Sequence, residues 1–401
     1  SHGCPKCRDD KPSNVVCTYD YDKVKAVFTK ELLSERPPTL WRYKEFLPPE
    51  EENIVSMGEG LTPLVKCLTL GKSLGLKNLY VKDESRNPTW SFKDRLASSS
   101  VSTALQFGAR VIMTSSTGNH GAATAAYAAR AGLDCIIFTV EAVPGTMRTL
   151  MQAYGARVVA VPSMADRWKL QQACEEQFGW YSNTGFVYPP VGYEPYGVDG
   201  YKSIGFEICE QLGWRAPDKL VVPVGYGGGF FGSWKGFEEF FDLGLIDTKP
   251  QMIAAEVWGP LKNALAKGLD YVEEVPGGST VAFSAAVTTS TYQALKALLD
   301  SGGIAETASD EEIMQMQLEL AASEGIYGEA AGVLPLAVIK KLRDMGKIDG
   351  DETVVALLTS GGLKDPAATQ EVLPEIPLVE PSVEALREGL AEAYGCILPS
   401  S

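Results

Sequence analysis

From Leu79 onward the chain alternates short β-rich runs with helical patterns, and no other feature restricts its fold as much. Strands separated by helices signal an α/β fold with mostly parallel sheets flanked by helices. The expected strands are NLYVKD, RVIMTS, CIIFTV, RVVAVP, KLVVPVG, MIAAEV and TVVALLTS, with helices such as AATAAYAARAG and KSIGFEICEQLG between them. A compact set of βαβ units occupies 110 to 165. The strands near 79, 220, 252 and 353 lie far apart in sequence and are expected to join a second sheet. Two lobes with a cleft between them follow.

Composition narrows the partners. The chain has 401 residues, 45% of them hydrophobic, enough for a sizeable core and more than one domain. Fifty-one acidic against thirty-six basic residues give a net charge of -15, which repels nucleic acid and anionic membranes and favours small molecules or copies of the same chain. The longest apolar runs fall under about 10 residues, against roughly 20 for a membrane-spanning helix. Ser1-His2 is read as a cloning remnant, and no signal-peptide pattern follows it. The eight cysteines are too sparse for a disulfide scaffold, so a reducing cytoplasm is expected. Cys4-Pro-Lys-Cys7 has the spacing of a zinc knuckle, but a closed site needs four ligands. Cys17 offers a third and nothing completes the set, so an empty knuckle with no metal is expected.

Four segments carry chemistry. In NPTWSFKDR, Lys93 follows a strand and a turn-forming Asn-Pro; an amine there is either a surface lysine anchored by its aromatic neighbour or a group able to join a carbonyl as a Schiff base. In VVPVGYGGGFFGSWKGF, Gly225, Gly227, Gly228 and Gly229 precede a helix, where bare backbone amides cradle a phosphate or merely form a tight turn. No lysine follows the run as in GxxxxGK[ST], and a small phosphate-bearing cofactor is expected rather than ATP or NAD. In SSTGNHGAATAAYAARAG, Ser116, Thr117, Gly118, Asn119 and His120 sit between a strand end and a helix start, as helix caps or as a carboxylate grip. In VVALLTSGGLKDP, Thr359 or Ser360 ends a strand and offers a hydroxyl to a ring nitrogen. The Tyr-, Pro- and Gly-rich SNTGFVYPPVGYEPYGVDGYKS reads as a cleft-lining loop or a plain surface loop. His120 is the only histidine besides that of the remnant, so a histidine-dependent hydrolase triad would have to be built on this one residue, which argues against it.

With these segments in this order, the chain resembles the fold-type II pyridoxal-phosphate enzymes, in particular the threonine synthase branch, over nearly all of residues 4 to 368. LWRYKEFLP, GEGLTPL, VKDESRNPT-SFKDR, STGNHG, DEEI, EGIYGEAAG and TSGGLKDP carry the likeness. The resemblance implies pyridoxal 5'-phosphate as cofactor, bound to Lys93, with Asn119 on its 3-hydroxyl, the amides of Gly225, Gly227, Gly228 and Gly229 on its phosphate, and Thr359 facing its ring nitrogen. Lys93 would also move the α-proton, and Ser116, Thr117, Gly118 and His120 would hold the substrate carboxylate. The implied organisation is a degenerate knuckle over 3–30, a large cofactor domain over 31–95 plus 200–390, and a small substrate-binding domain over 96–199 that closes over the substrate. A homodimer is also implied.

The departures fall at the substrate. Family members usually carry glycine where this chain has Trp90, which is expected to wall the pocket. The arginine-containing segment that grips the phosphate of O-phosphohomoserine is replaced by GYEPYGVDGYKS, which has no arginine. The loop reads GNHG, as in serine and threonine dehydratases. The expectation is therefore a lyase performing β-elimination on a small β-substituted L-amino acid, giving a 2-oxo acid and ammonia. The alternatives are a threonine synthase with Lys202 or Ser203 on the phosphate, and a silent scaffold blocked by Trp90.

Overall fold

The computed structural model describes residues 2–141 and 143–397, so Ser1 of the expected remnant lies outside the described residues. One compact unit runs up to Lys364 and a second begins at Asp365. The first holds two sheets. The larger comprises β1 (Leu64–Lys66), β2 (Asn78–Asp83), β7 (Lys219–Pro223), β8 (Gln251–Glu256), β9 (Ile304–Thr307) and β10 (Thr353–Leu358), in spatial order β1-β2-β10-β7-β8-β9. Only β1 is antiparallel. The smaller comprises β3 (Val111–Ser115), β4 (Asp134–Val140), β5 (Arg157–Val161) and β6 (Tyr181–Ser182), all parallel in the order β5-β4-β3-β6. The α/β class and the expected strands are present, with the distant runs near 79, 220, 252 and 353 in one sheet.

The strand order positions the site. β2, β10 and β7 are adjacent and parallel, so the segments leaving their carboxyl ends, at Lys93, Thr359 and Gly225, emerge along one edge of the sheet. Ligands of open α/β sheets gather at such an edge. These strands are central and apolar (Leu79, Val81, Leu220 to Val222, Val354 to Leu358), and their burial against helices fixes the edge rigidly. An aromatic cluster supports the larger sheet's flank, with Phe206 stacked on Phe240 at 4.2 Å between centroids.

Cys4 and Cys7 face each other, and the hydrogen bond between their thiols pulls Cys4 below its ordinary pKa. Among the described residues, no group of three or more His, Cys, Asp or Glu side chains is arranged to hold a metal, and no helix is long and apolar enough to cross a membrane. In the second unit, the SVEALREGLAEAYG stretch forms the expected helix, Val383–Tyr394, capped by the Ser382 side chain and ended by Gly395 at φ +61°.

Candidate active site

The local chemistry of NPTWSFKDR explains where Lys93 stands. Thr89 donates its backbone N–H to the buried Asp94 carboxylate at 2.7 Å, and Lys364 Nζ reaches the Thr89 carbonyl at 2.6 Å, so the turn before the lysine is clamped from inside. Burial pushes the Asp94 carboxyl up to about 7 and the Lys364 amine down to about 8. Phe92 N donates to the Thr359 carbonyl at 2.9 Å, joining this turn to the end of β10. Helix Lys93–Gln106 then starts at the lysine itself. Two positions on, Arg95 is fully buried and donates to Glu84 at 2.6 Å and to Glu207, which Lys82 also meets at 2.7 Å. Burial alone would raise the Glu207 carboxyl, but Arg95 and Lys82 beside it hold it down to about 2.

With its neighbours locked, Lys93 faces a cavity of about 320 Å³. Its Nζ donates to the Tyr193 hydroxyl at 2.9 Å and lies 4.2 Å from that ring's centroid and 4.7 Å from that of Phe92. The loop of residues 184–193 lines this cavity through Thr184, Val187 and Tyr193, which is the cleft-lining role considered for it. Tyr193 is a functional candidate to which the sequence reading gave no role; its one signal was its place in that aromatic loop.

The glycine run forms the opposite wall. Ser290 and Thr291 donate to the carbonyls of Gly225 and Tyr226, both at 2.9 Å. The N–H groups of Tyr226 and Gly227, antiparallel to those carbonyls across trans peptides, point the other way. Helix Gly228–Asp242 follows, and its first-turn amides have no intrahelical acceptor. Gly227 has φ +80°, and a Cβ there would stand 2.3 Å from that of Ala294; one on Gly229 would stand 2.6 Å from the Phe92 ring. Gly225, Gly227 and Gly229 line the cavity, whereas Gly228 is covered by Tyr193, whose ring would be 2.7 Å from a Cβ at that position.

Ser116, Thr117, Gly118, Asn119 and His120 all line the third side. Ser116 Oγ accepts from the N–H groups of Gly118 at 3.2 Å and Gly121 at 2.9 Å, so it caps its own loop as well. His120 Nε2 pairs with Asn183 Oδ1 at 3.1 Å, and burial drives the imidazole down to about 3, leaving a neutral ring 5.1 Å from that of Tyr193. Asn119 Nδ2 donates to the buried Glu329 carboxylate at 2.8 Å, and Ser284 Oγ donates to the same group. Glu329, from EGIYGEAAG, is a second residue to which the sequence assigns no role, although it is the acid that precedes the apolar run AAGVLPLAVI of helix Ala330–Asp344. Of the two hydroxyl candidates Thr359 lines the cavity, while Ser360 Oγ turns toward Asn119 Oδ1 at 3.5 Å.

Three expectations differ from the structure. Trp90 does not line the cavity: its side chain is 49% exposed, and its backbone adopts φ +60° while bonding to Asn87 and Gly361. A left-handed backbone is a conformation that suits glycine, and the indole stands outside the cavity lining. Lys202 is fully buried in ion pairs with Asp199 and Glu239, and Ser203 donates to the Gly200 carbonyl, so neither borders the cavity. Finally, GYEPYGVDGYKS lacks arginine, yet the cavity does not, because Arg167 enters its lining from helix Met164–Phe178.

The arrangement suits a small planar phosphate ester: amides around a glycine cradle, an amine opposite them, a hydroxyl from Thr359, and Asn119 backed by a carboxylate. Residues 55–360 match the family model described as "Pyridoxal-phosphate dependent enzyme". The chain is 39% identical to the threonine synthase of Methanocaldococcus jannaschii, over 93% of this chain and 92% of that one. It is 37% identical to the threonine synthase of Methanosarcina acetivorans, over 96% and 94%. Among solved structures, threonine deaminase isoform 2 of Solanum lycopersicum superposes with a TM-score of 0.64 at 19% identity, covering 83% of this chain and 85% of that one, which speaks to the fold. The chain belongs to the pyridoxal-phosphate-dependent enzyme family, with the fold-type II architecture and pyridoxal phosphate as its cofactor.

Proposed function

We propose that the chain is a threonine synthase, converting O-phospho-L-homoserine and water into L-threonine and phosphate. The observation that carries this reading over a β-elimination is the similarity, running through nearly the whole of both chains, to proteins named threonine synthase. The three departures that pointed to elimination have other physical explanations, the arginine missing from GYEPYGVDGYKS being offset by Arg167 in the cavity lining. Trp90 stands outside the cavity, and the histidine of GNHG is a neutral ring engaged with Asn183. A silent scaffold loses its motive as well, since no indole blocks Lys93.

Bound pyridoxal phosphate supplies the electron sink that makes the hydrogens of an attached amino acid acidic. Lys93 is assigned the attachment of the cofactor and the movement of the proton at the substrate's α-carbon, with the Tyr193 hydroxyl holding its amine in line. The amides of Gly225, Gly227, Gly228 and Gly229 are assigned the cofactor phosphate, Asn119 its 3-hydroxyl and Thr359 its ring nitrogen. Glu329 fixes the Asn119 amide so that its orientation is set before binding. Ser116, Thr117, Gly118 and His120 are assigned the substrate carboxylate, the histidine through its backbone rather than its uncharged ring. Residues 96–199 form the substrate-presenting lobe, and assembly as a homodimer is proposed on the resemblance alone.

The test supplies purified protein with pyridoxal phosphate and O-phospho-L-homoserine and measures phosphate, threonine, 2-oxo acid and ammonia. Phosphate and threonine in equal amounts are expected. A 2-oxo acid formed from serine or threonine, with no phosphate released from phosphohomoserine, would return the reading to elimination.

A further inference from the structure

Arg167 is a buried cation without a counter-ion. It is 6% exposed, makes no ion pair with any carboxylate among the described residues, and spends only its Nε on the Met164 carbonyl, at 3.4 Å. Desolvation of an unpaired charge is costly, and here burial pulls even the guanidinium below its ordinary pKa. A side chain in this condition at the wall of a cavity is set to receive an anion. Two anions are candidates, the phosphate of the cofactor and a distal phosphate of the substrate; Arg167 lies near Tyr226 of the glycine loop, and it is the donor sets that separate the two. The glycine cradle already offers the amides of a helix start to the cofactor. Arg167 comes from the helix after β5, in the segment that also carries the Ser116–His120 loop, and it borders the cavity together with Trp168 and Thr184.

We propose that Arg167 grips the distal anionic group of the substrate, which makes that substrate an L-amino acid whose side chain ends in a phosphate monoester. The inference rests on the reaction proposed above and specifies its binding subsite. It supplies from a different element the cation that GYEPYGVDGYKS lacks. A guanidinium meets a phosphate through two parallel N–H donors, a geometry that an ammonium cannot reproduce.

The experiment uses holoenzyme of wild type, Arg167→Gln and Arg167→Lys, with thermal melts to establish folding. Cofactor affinity is read by absorbance titration. Substrate-site affinity is read from the cofactor's spectral change on adding an unreactive L-amino acid with a terminal phosphonate, and again with an uncharged amino acid of equal length. Expected is a loss of about tenfold or more in phosphonate affinity in Arg167→Gln, with cofactor and uncharged-ligand affinities unchanged. Arg167→Lys is expected to lose several-fold and is decisive alone if the glutamine variant does not fold. Unchanged phosphonate affinity in the variants overturns the proposal, as does a parallel fall in cofactor affinity, which would assign Arg167 to the cofactor. Failure of wild type to favour the phosphonate over the uncharged ligand also overturns it. If phosphonate binding depends on Arg167 while phosphohomoserine is not converted, the reaction assignment fails and the anion subsite stands.

Discussion

Trp90 and Lys93 are three residues apart, and their fates are decided by different forces. Lys93 is presented because Asp94 and Arg95 are consumed inside the protein, while Phe92 stacks on Tyr201 at 5.0 Å between centroids. Trp90 is turned outward by a positive φ that side chains rarely adopt. Replacing it with glycine should therefore leave kcat and KM unchanged and raise stability by up to about 1 kcal/mol, because the strain at that φ is relieved. Steady-state kinetics and denaturant melts of Trp90→Gly check this, and a tenfold change in KM would restore the indole to the pocket. The lysine could be read from the sequence because it is embedded in a recognisable string. The direction of the indole could not, since it depends on one backbone dihedral. Arg167 was equally hidden: nothing in MADRWKLQQACEEQF marks a residue that crosses to a cavity built by other segments.

At the scale of elements, the central strands were legible because burial on both faces demands continuous apolar runs, as in KLVVP and TVVALL. β1, β6 and β9 were not, being two to four residues long and carrying Lys66, Ser182 or Glu306. The helix that begins at Lys93 is held by the Arg95, Glu84, Glu207 and Lys82 network, and this makes its stability depend on acid. Glu207 has a folded pKa near 2 against 4.5 for the free side chain, so its contribution is complete above pH 4.5 and is lost as the pH falls toward 2. His120, drawn down to about 3 by burial from 6.5, acts with the same sign between those values. The Asp94 carboxyl, raised to about 7, acts with the opposite sign, so the network's share is read as the stability difference between wild type and Glu207→Gln, which should fall by roughly 3 kcal/mol between pH 7 and pH 2. Chemical denaturation across that range measures it, and a difference that stays level down to pH 3 would contradict the network's role.

At the scale of the whole molecule, the site is a product of topology. Three neighbouring parallel strands deliver Lys93, Thr359 and the glycine cradle to one edge, and β3 of the other sheet brings the Ser116–His120 loop against them. Segments more than 250 residues apart in the chain thereby border one cavity of about 320 Å³. Sequence order alone suggested this convergence through family likeness, whereas its physical cause is the strand order β2-β10-β7. The claim on which the rest depends is that Lys93 bears the cofactor. Incubation with pyridoxal phosphate, reduction with borohydride and peptide mass mapping measure that directly. The account predicts a phosphopyridoxyl mass on the peptide containing Lys93 and its loss in Lys93→Ala; an unlabelled protein, or a label on another lysine that persists in Lys93→Ala, would contradict it.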